Sequence, residues 1–252
     1  METQRDVMMD DLWNYTDTPV KTMLLDGIKI PYRVERRSIK NTRLEFDKGQ
    51  LWIFLSRREL NEKAILLEKK RWVLKHYLKL KQRLEVIKKW HGKNQIMVLG
   101  GPFTFVNYIK GRGARVDFGQ KIIHMNWESS RHKTRVKNLL KKRFRDELNN
   151  RLKTFSEELR QEPVGFRIKN QRTSWGSCSS KRNLNFNLRL IFLPPQLIDY
   201  VVFHEMLHLR YMSHGKRFHA VMKRKFGDVK RFEDELANWW HYTNSGVISR
   251  LI

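Results

Sequence analysis

His204-Glu205-Met206-Leu207-His208 is the stretch of this chain whose residue types and spacing suit hydrolytic chemistry. Two histidines four apart leave the same face of a helix, one turn from each other. Their imidazoles can hold one zinc ion. Glu205 beside the first is placed to polarise a zinc-activated water and shuttle its proton. The neighbours Val201, Val202, Phe203, Met206, Leu207 and Leu209 are apolar, so the segment reads as a buried helix. Two histidines and a glutamate buried there cost several kcal/mol unless they are paired or bind metal.

A catalytic zinc needs a third protein ligand and an open position. His214 follows His208 by six residues, beyond an expected helix end at Tyr211–Ser213, where a returning chain would present it to the same ion. His219 lies on the next predicted helix, KRFHAVMKRKF, as a substitute ligand or as a group beside the ligands. Glu233 and Glu235 read as solvent-facing helix residues rather than as a distant carboxylate ligand. For an oxyanion donor the candidates are Arg189, Tyr211 and His219, without spacing to choose among them. Cys178 is the only cysteine, which excludes an internal disulfide framework and a Cys-rich zinc site. As a nucleophile it has no supporting motif, and WGSCSS reads as a turn shaping one wall of the cleft.

The elements that must position these residues follow from periodicity. Residues 1–27 read as an N-terminal arm. Ile28 to Leu55 alternates in strand fashion with a hairpin turn at DKGQ. Residues 57–93 take a helical period, as one long basic helix or two in series, with Leu60, Ala64, Leu67, Leu74 and Leu78 on the apolar stripe. Gly100 to Asn126 reads as a small meander. Residues 131–159 form a second basic helix with Val136, Leu139, Leu140, Phe144, Leu148 and Leu152 inward. After Pro163 come a strand, VGFRIKNQ, the small-residue turn, and a strand with Leu184, Phe186, Leu188, Leu190 and Phe192 on one face. Pro194-Pro195 then opens the helix QLIDYVVFHEMLHLRYM. No internal repeat is visible. The expected division is 1–27, a strand and basic-helix region 28–160, and a catalytic region 161–252, with 28–242 as one continuous domain in the alternative.

Trp175-Gly176-Ser177-Cys178, Pro194-Pro195 and His204-Glu205-x-Leu207-His208-Leu209 together resemble the YgjP-like metallopeptidase family, itself similar to SprT-like and WLM-type zinc proteases. The resemblance spans 28–242. It implies an α+β fold with a zincin-like catalytic domain, its HExxH helix against a small sheet, preceded by a mixed β-hairpin and helix region. It also implies Zn2+ held by His204, His208 and His214, with Glu205 as the base. The chain departs from the family pattern at Ser213-His214-Gly215, where Asn-His-Ser is usual, and at His219, where tryptophan is usual. Metzincins share the histidine offset but carry glycine where this chain has Tyr211.

Composition adds a polyanion question. Lys and Arg number 52 against 26 Asp and Glu, a formal +26, and such a field attracts nucleic acid. With 40% hydrophobic residues, the chain is globular rather than disordered. The opening METQRDVMMDDLWNY is polar and acidic rather than leader-like, and no run of ~20 apolar residues occurs. The expected setting is cytoplasmic, without a membrane. Three functions compete: a zinc metallopeptidase, with nucleic-acid-associated proteins among its expected substrates; a metal-dependent nucleotide (NTP or UTP) pyrophosphohydrolase; and a nucleic-acid-binding protein with a structural zinc. Glu205 has no role in a closed site, which counts against the third. An extended peptide is expected to pair with the edge of strand 184–193. No particular residues are assigned to nucleic acid, and the oligomeric state is left open.

Overall fold

A computed structural model of the chain describes residues 19–47, 50–56, 61–88, 94–107, 113–244 and 246–252. The chain forms two compact units, residues 1–90 with 244–247, and residues 91–243 with 248–252. The change of texture at Pro163 falls inside the second unit. Residues 1–18 of the expected arm, and parts of the DKGQ and GRG turns, lie outside the described residues.

In the first unit, β1 (Lys21–Leu25), β2 (Ile28–Arg36), β3 (Arg43–Asp47) and β4 (Gln50–Leu55) form one sheet in the order β1-β2-β4-β3. Residues 21–25 of the expected N-terminal arm are strand β1, paired with β2. Asp26 and Gly27 both take positive φ, 47° and 75°, the conformation that a two-residue hairpin turn needs. Two helices in series follow, α1 (Glu62–Glu68) and α2 (Lys70–Lys88). The Asn61 side chain caps α1 by accepting from the amides of Lys63 and Ala64. The expected stripe is met only in part: Leu74 packs against the core of this unit. Ile65, Leu66 and Val73 are buried against Leu51, Ile53 and Leu55, whereas Leu67 and Leu78 are exposed. Apolar residues at 65, 66, 67, 74 and 78 cover more than one helix face, and the sheet selects which is buried.

The second unit opens with the same plan. β5 (Gln95–Val98), β6 (Gly101–Asn107), β7 (Arg115–Asp117) and β8 (Ile122–Met125) are ordered β5-β6-β8-β7. β6 runs parallel to β8, as β2 does to β4, so the segment is not a meander. Its first turn, Leu99-Gly100, again has two positive φ values, 51° and 78°. The topology therefore repeats although the sequence does not. A helix follows here too, α3 (Ser130–Leu159), burying Val136, Leu140, Phe144, Leu148, Leu152 and Phe155.

Beyond α3, β9 (Gly165–Lys169), β10 (Gly176–Cys178) and β11 (Asn183–Asn187) make a sheet ordered β10-β11-β9. Two expectations change here. The WGSC stretch is itself a strand, β10. The long strand 184–193 stops at Asn187, and Leu188–Phe192 is a 3₁₀ helix. The Asn187 carboxamide makes this break: it accepts from the Arg189 amide and donates to the carbonyls of Gln171 and Ser174. Because Leu188 through Leu193 are all buried, no alternating strand face survives. β11 is also the central strand, so the edges of this sheet are β10 and β9.

Four helices complete the unit: α4 (Pro195–Leu207), α5 (Lys216–Phe226), α6 (Val229–Asn244) and α7 (Gly246–Leu251), the last two sharing residues with the first unit at their junction. α4 is largely buried, and α3 packs along it. Phe155 meets Phe203 edge-on at 5.4 Å, and Arg151 bridges Asp199 and Glu147 at 2.7 Å each. At the start of α4, Gly100 lies so close that a Cβ there would fall 2.6 Å from Pro195 Cδ. No helix among the described residues is long and apolar enough to cross a membrane.

Candidate metal centre

α4 ends earlier than its apolar pattern suggests. His208 is its C-cap, and the amides of Leu209, Arg210 and Tyr211 bond back to Met206 and Leu207 in a tightening turn. That early stop lets the chain double back and deliver His214 to the two helix histidines. His214 Nε2 lies 3.0 Å from His204 Nε2. One ring nitrogen from each of His204, His208 and His214 lies within 4.8 Å of the others. Ligand nitrogens on a tetrahedral zinc at its usual bond length are about 3.3 Å apart, so the three are spaced to converge on one cation.

The surroundings prepare these rings for a metal. His208 Nδ1 is 2.9 Å from the Tyr211 carbonyl; as the donor there, it leaves Nε2 with a free lone pair. Burial pushes the His204 pKa down to about 3, helped by the neighbouring His208, His214 and His219 rings. Burial likewise lowers His214, again helped by His208 and His219, against an opposing pull from Glu233. Neutral imidazoles are the form that ligates. Phe218, 1% exposed, touches all three rings, with centroids 4.7–4.9 Å away. The donor set thus fits zinc: three imidazoles, no thiolate, and room for a further ligand.

Glu205 is 7% exposed and turned toward β10. Burial raises its pKa to about 7, poised to exchange a proton near neutrality. Its seat exists because residue 176 is glycine. A Cβ at Gly176 would stand 2.7 Å from Glu205 Cγ and 2.9 Å from Oε1. The tryptophan-glycine turn read from the sequence is therefore the wall against which the glutamate rests. Burial first, and Glu205 second, push the Cys178 thiol up. That disfavours the thiolate a nucleophile requires.

A cavity of about 480 Å³ adjoins His204 and Glu205, walled by Trp175, Gly176, Tyr200, Val201, Leu236 and Trp240, with Glu233 and His241 also on its lining. Tyr200 and Trp240 are additions that sequence reasoning missed, and Glu233, read there only as a solvent-facing helix residue, lines the cavity as well. Tyr200 could have been found from its place one helical turn before His204, where it would share the histidine face.

The remaining predicted residues fall elsewhere. Arg189 is buried and held by Asn170 and the Thr243 carbonyl, outside the lining of the cavity. Tyr211 contributes its carbonyl to His208, while its side chain borders a different hollow with Met206 and Arg210. The exposed His219 ring lies 6.3 Å from that of His214 and is not among the three converging donors. Glu235 pairs with Arg231 at 3.5 Å.

Comparison with known proteins agrees with the motif. The family model described as YgjP-like, metallopeptidase domain, matches residues 41–238. Among solved structures, the metallopeptidase zymogen of Methanocaldococcus jannaschii jannalysin is similar at 22% identity and a TM-score of 0.32, covering 42% of this chain and 97% of that one. No curated protein matches. With the matched segment spanning most of its length, this chain belongs to the YgjP-like metallopeptidase family.

Proposed function

We propose that the protein is a zinc-dependent peptidase in which His204, His208 and His214 hold the metal and Glu205 is the general base. The convergence of three imidazole nitrogens beside a buried, proton-poised carboxylate carries the reading. A zinc ion there would supply Lewis acidity toward the scissile carbonyl. Glu205 takes a proton from the attacking water and passes it to the leaving amine. The cavity beside it seats a substrate side chain. Of the two edge strands, β10 is the one that carries Gly176 against Glu205; it offers its outer side to an extended peptide, so that strand addition aligns the scissile bond with Glu205.

The nucleotide-hydrolase reading draws on the +26 charge. The cavity beside the base counts against it, because its lining contains Glu205 and Glu233 but no lysine or arginine. The test is a panel of unstructured peptides and nucleoside triphosphates, incubated with zinc-loaded wild type, chelator-treated wild type and Glu205→Gln. Peptide cleavage that is lost in the second and third samples supports the proposal. Triphosphate hydrolysis without peptide cleavage overturns it.

A further inference from the structure

The cavity beside Glu205 has a chemical signature of its own. The chain carries 52 lysines and arginines, yet the 13 residues lining this cavity include none. Its walls are aromatic and apolar: Trp175 meets Trp240 edge-on at 4.9 Å, with Tyr200 and Leu236 beside them. Glu233 stands on the same lining and is exposed to solvent. The neighbouring acids of α6 are already engaged, Asp234 with Lys230 and Glu235 with Arg231, both at 3.5 Å. Among the described residues Glu233 has no such ion pair, and its charge is felt inside the cavity, where it helps burial raise Tyr200 to about 12. Nor does Glu233 belong to the group of converging donors, so its carboxylate is not spoken for by the metal centre.

A hollow with aromatic walls and a carboxylate on its lining suits a side chain that is apolar along its stem and cationic at its tip. Arginine fits better than lysine. Its planar guanidinium can stack on an indole and pair with a carboxylate at once, and it sheds water more readily.

We infer that this cavity is a specificity pocket for a basic side chain next to the scissile bond, arginine before lysine, and that Glu233 is the residue that selects it. The inference rests on the peptidase reading and deepens it. The mechanism needs only His204, His208, His214 and Glu205; Glu233 decides which peptide is held.

The experiment has two arms, both on the zinc-loaded full chain. In the first, peptides differing only by arginine, citrulline or glutamate at one position are compared by kcat/KM, with that position moved along the peptide. Wild type should prefer arginine over citrulline by about tenfold or more at a single position, the scale of one charge-assisted contact. Glu233→Gln should bring the ratio close to one, and Glu233→Arg should turn the preference toward glutamate. In the second arm, n-butylguanidinium and its neutral counterpart n-butylurea are titrated while the Trp175 and Trp240 indole signals are followed by NMR. Guanidinium-selective shifts that vanish in Glu233→Gln support the pocket even if no peptide is cleaved, in which case only the peptidase reading fails. Peptides cleaved without preference for a basic residue, or indole signals that respond equally to both probes, would overturn the assignment. Because Glu233 is exposed, its glutamine variant should unfold at the wild-type temperature; a large drop would show a structural role and also count against it.

Discussion

Replacing Glu205 by glutamine in metal-free protein removes an ionisable group from a site that resists its charge, and the size of the effect follows from the structure. The carboxyl ordinarily titrates near 4.5 and is raised by burial to about 7. At 1.36 kcal/mol per pH unit, holding it ionised in the folded state costs about 3 kcal/mol. Between the two values the native protein keeps a proton that the unfolded chain has released, so stability falls as pH rises through this window and the whole cost is present above pH 7. Glutamine fills the same space without the titration. Urea unfolding of chelator-treated wild type and Glu205→Gln should therefore give a difference in stability that grows in favour of glutamine by about 3 kcal/mol from pH 4.5 to pH 8. The histidines titrate in both proteins and largely cancel in the comparison. Saturating zinc should flatten the dependence, because a nearby cation favours the carboxylate. A difference that stays constant with pH in the metal-free proteins would refute the claim that burial holds the Glu205 carboxyl above its ordinary range.

Other consequences can be checked separately. Gly176→Ala drives a methyl group to within 2.7 Å of Glu205 Cγ; it should cost about 1–3 kcal/mol in thermal unfolding and displace the base, with peptide turnover lost while zinc content stays at the wild-type level. Phe218→Ala removes the ring that touches all three histidines. A loss of about 3–5 kcal/mol in denaturant unfolding is expected, with weaker zinc binding in competition with a chromogenic chelator. Arg151→Leu breaks its pair with Glu147 within α3 and its pair with Asp199 of α4. Since Arg151 and its partners are only partly buried, urea unfolding should register about 1 kcal/mol or less.

What could be read from the sequence depended on how local each signal was. The pairing of His204 with His208 is a matter of helical period, and His214 follows because a returning loop of that length can reach them. The basic helix α3 was legible from a stripe whose apolar residues fall on one face. α1 and α2 were legible as helical sequence, with one helix or two left open, but only part of their buried face was, since leucines occupy several of their faces. The 3₁₀ helix at Leu188–Phe192 looked like a strand because apolar residues at every second position hide the fact that the residues between them are buried too. Asn187, whose carboxamide ends the strand, carries no local mark of that role. Contacts between distant segments were beyond reach: Gly176 against Glu205, Gly100 against Pro195, Phe218 among the histidines. The repeated four-stranded plan was equally hidden, because sheet order and turn geometry recur without recurring residues.

The most direct test of the account is the metal content of purified wild type, Glu205→Gln and His214→Ala, measured by elemental analysis after equilibration with zinc and removal of the excess. One zinc per chain in wild type and in Glu205→Gln, with a large loss in His214→Ala, is the predicted result, because the three imidazoles hold the ion and Glu205 does not. Wild type that takes up no zinc, or His214→Ala that retains it in full, would contradict the centre described here.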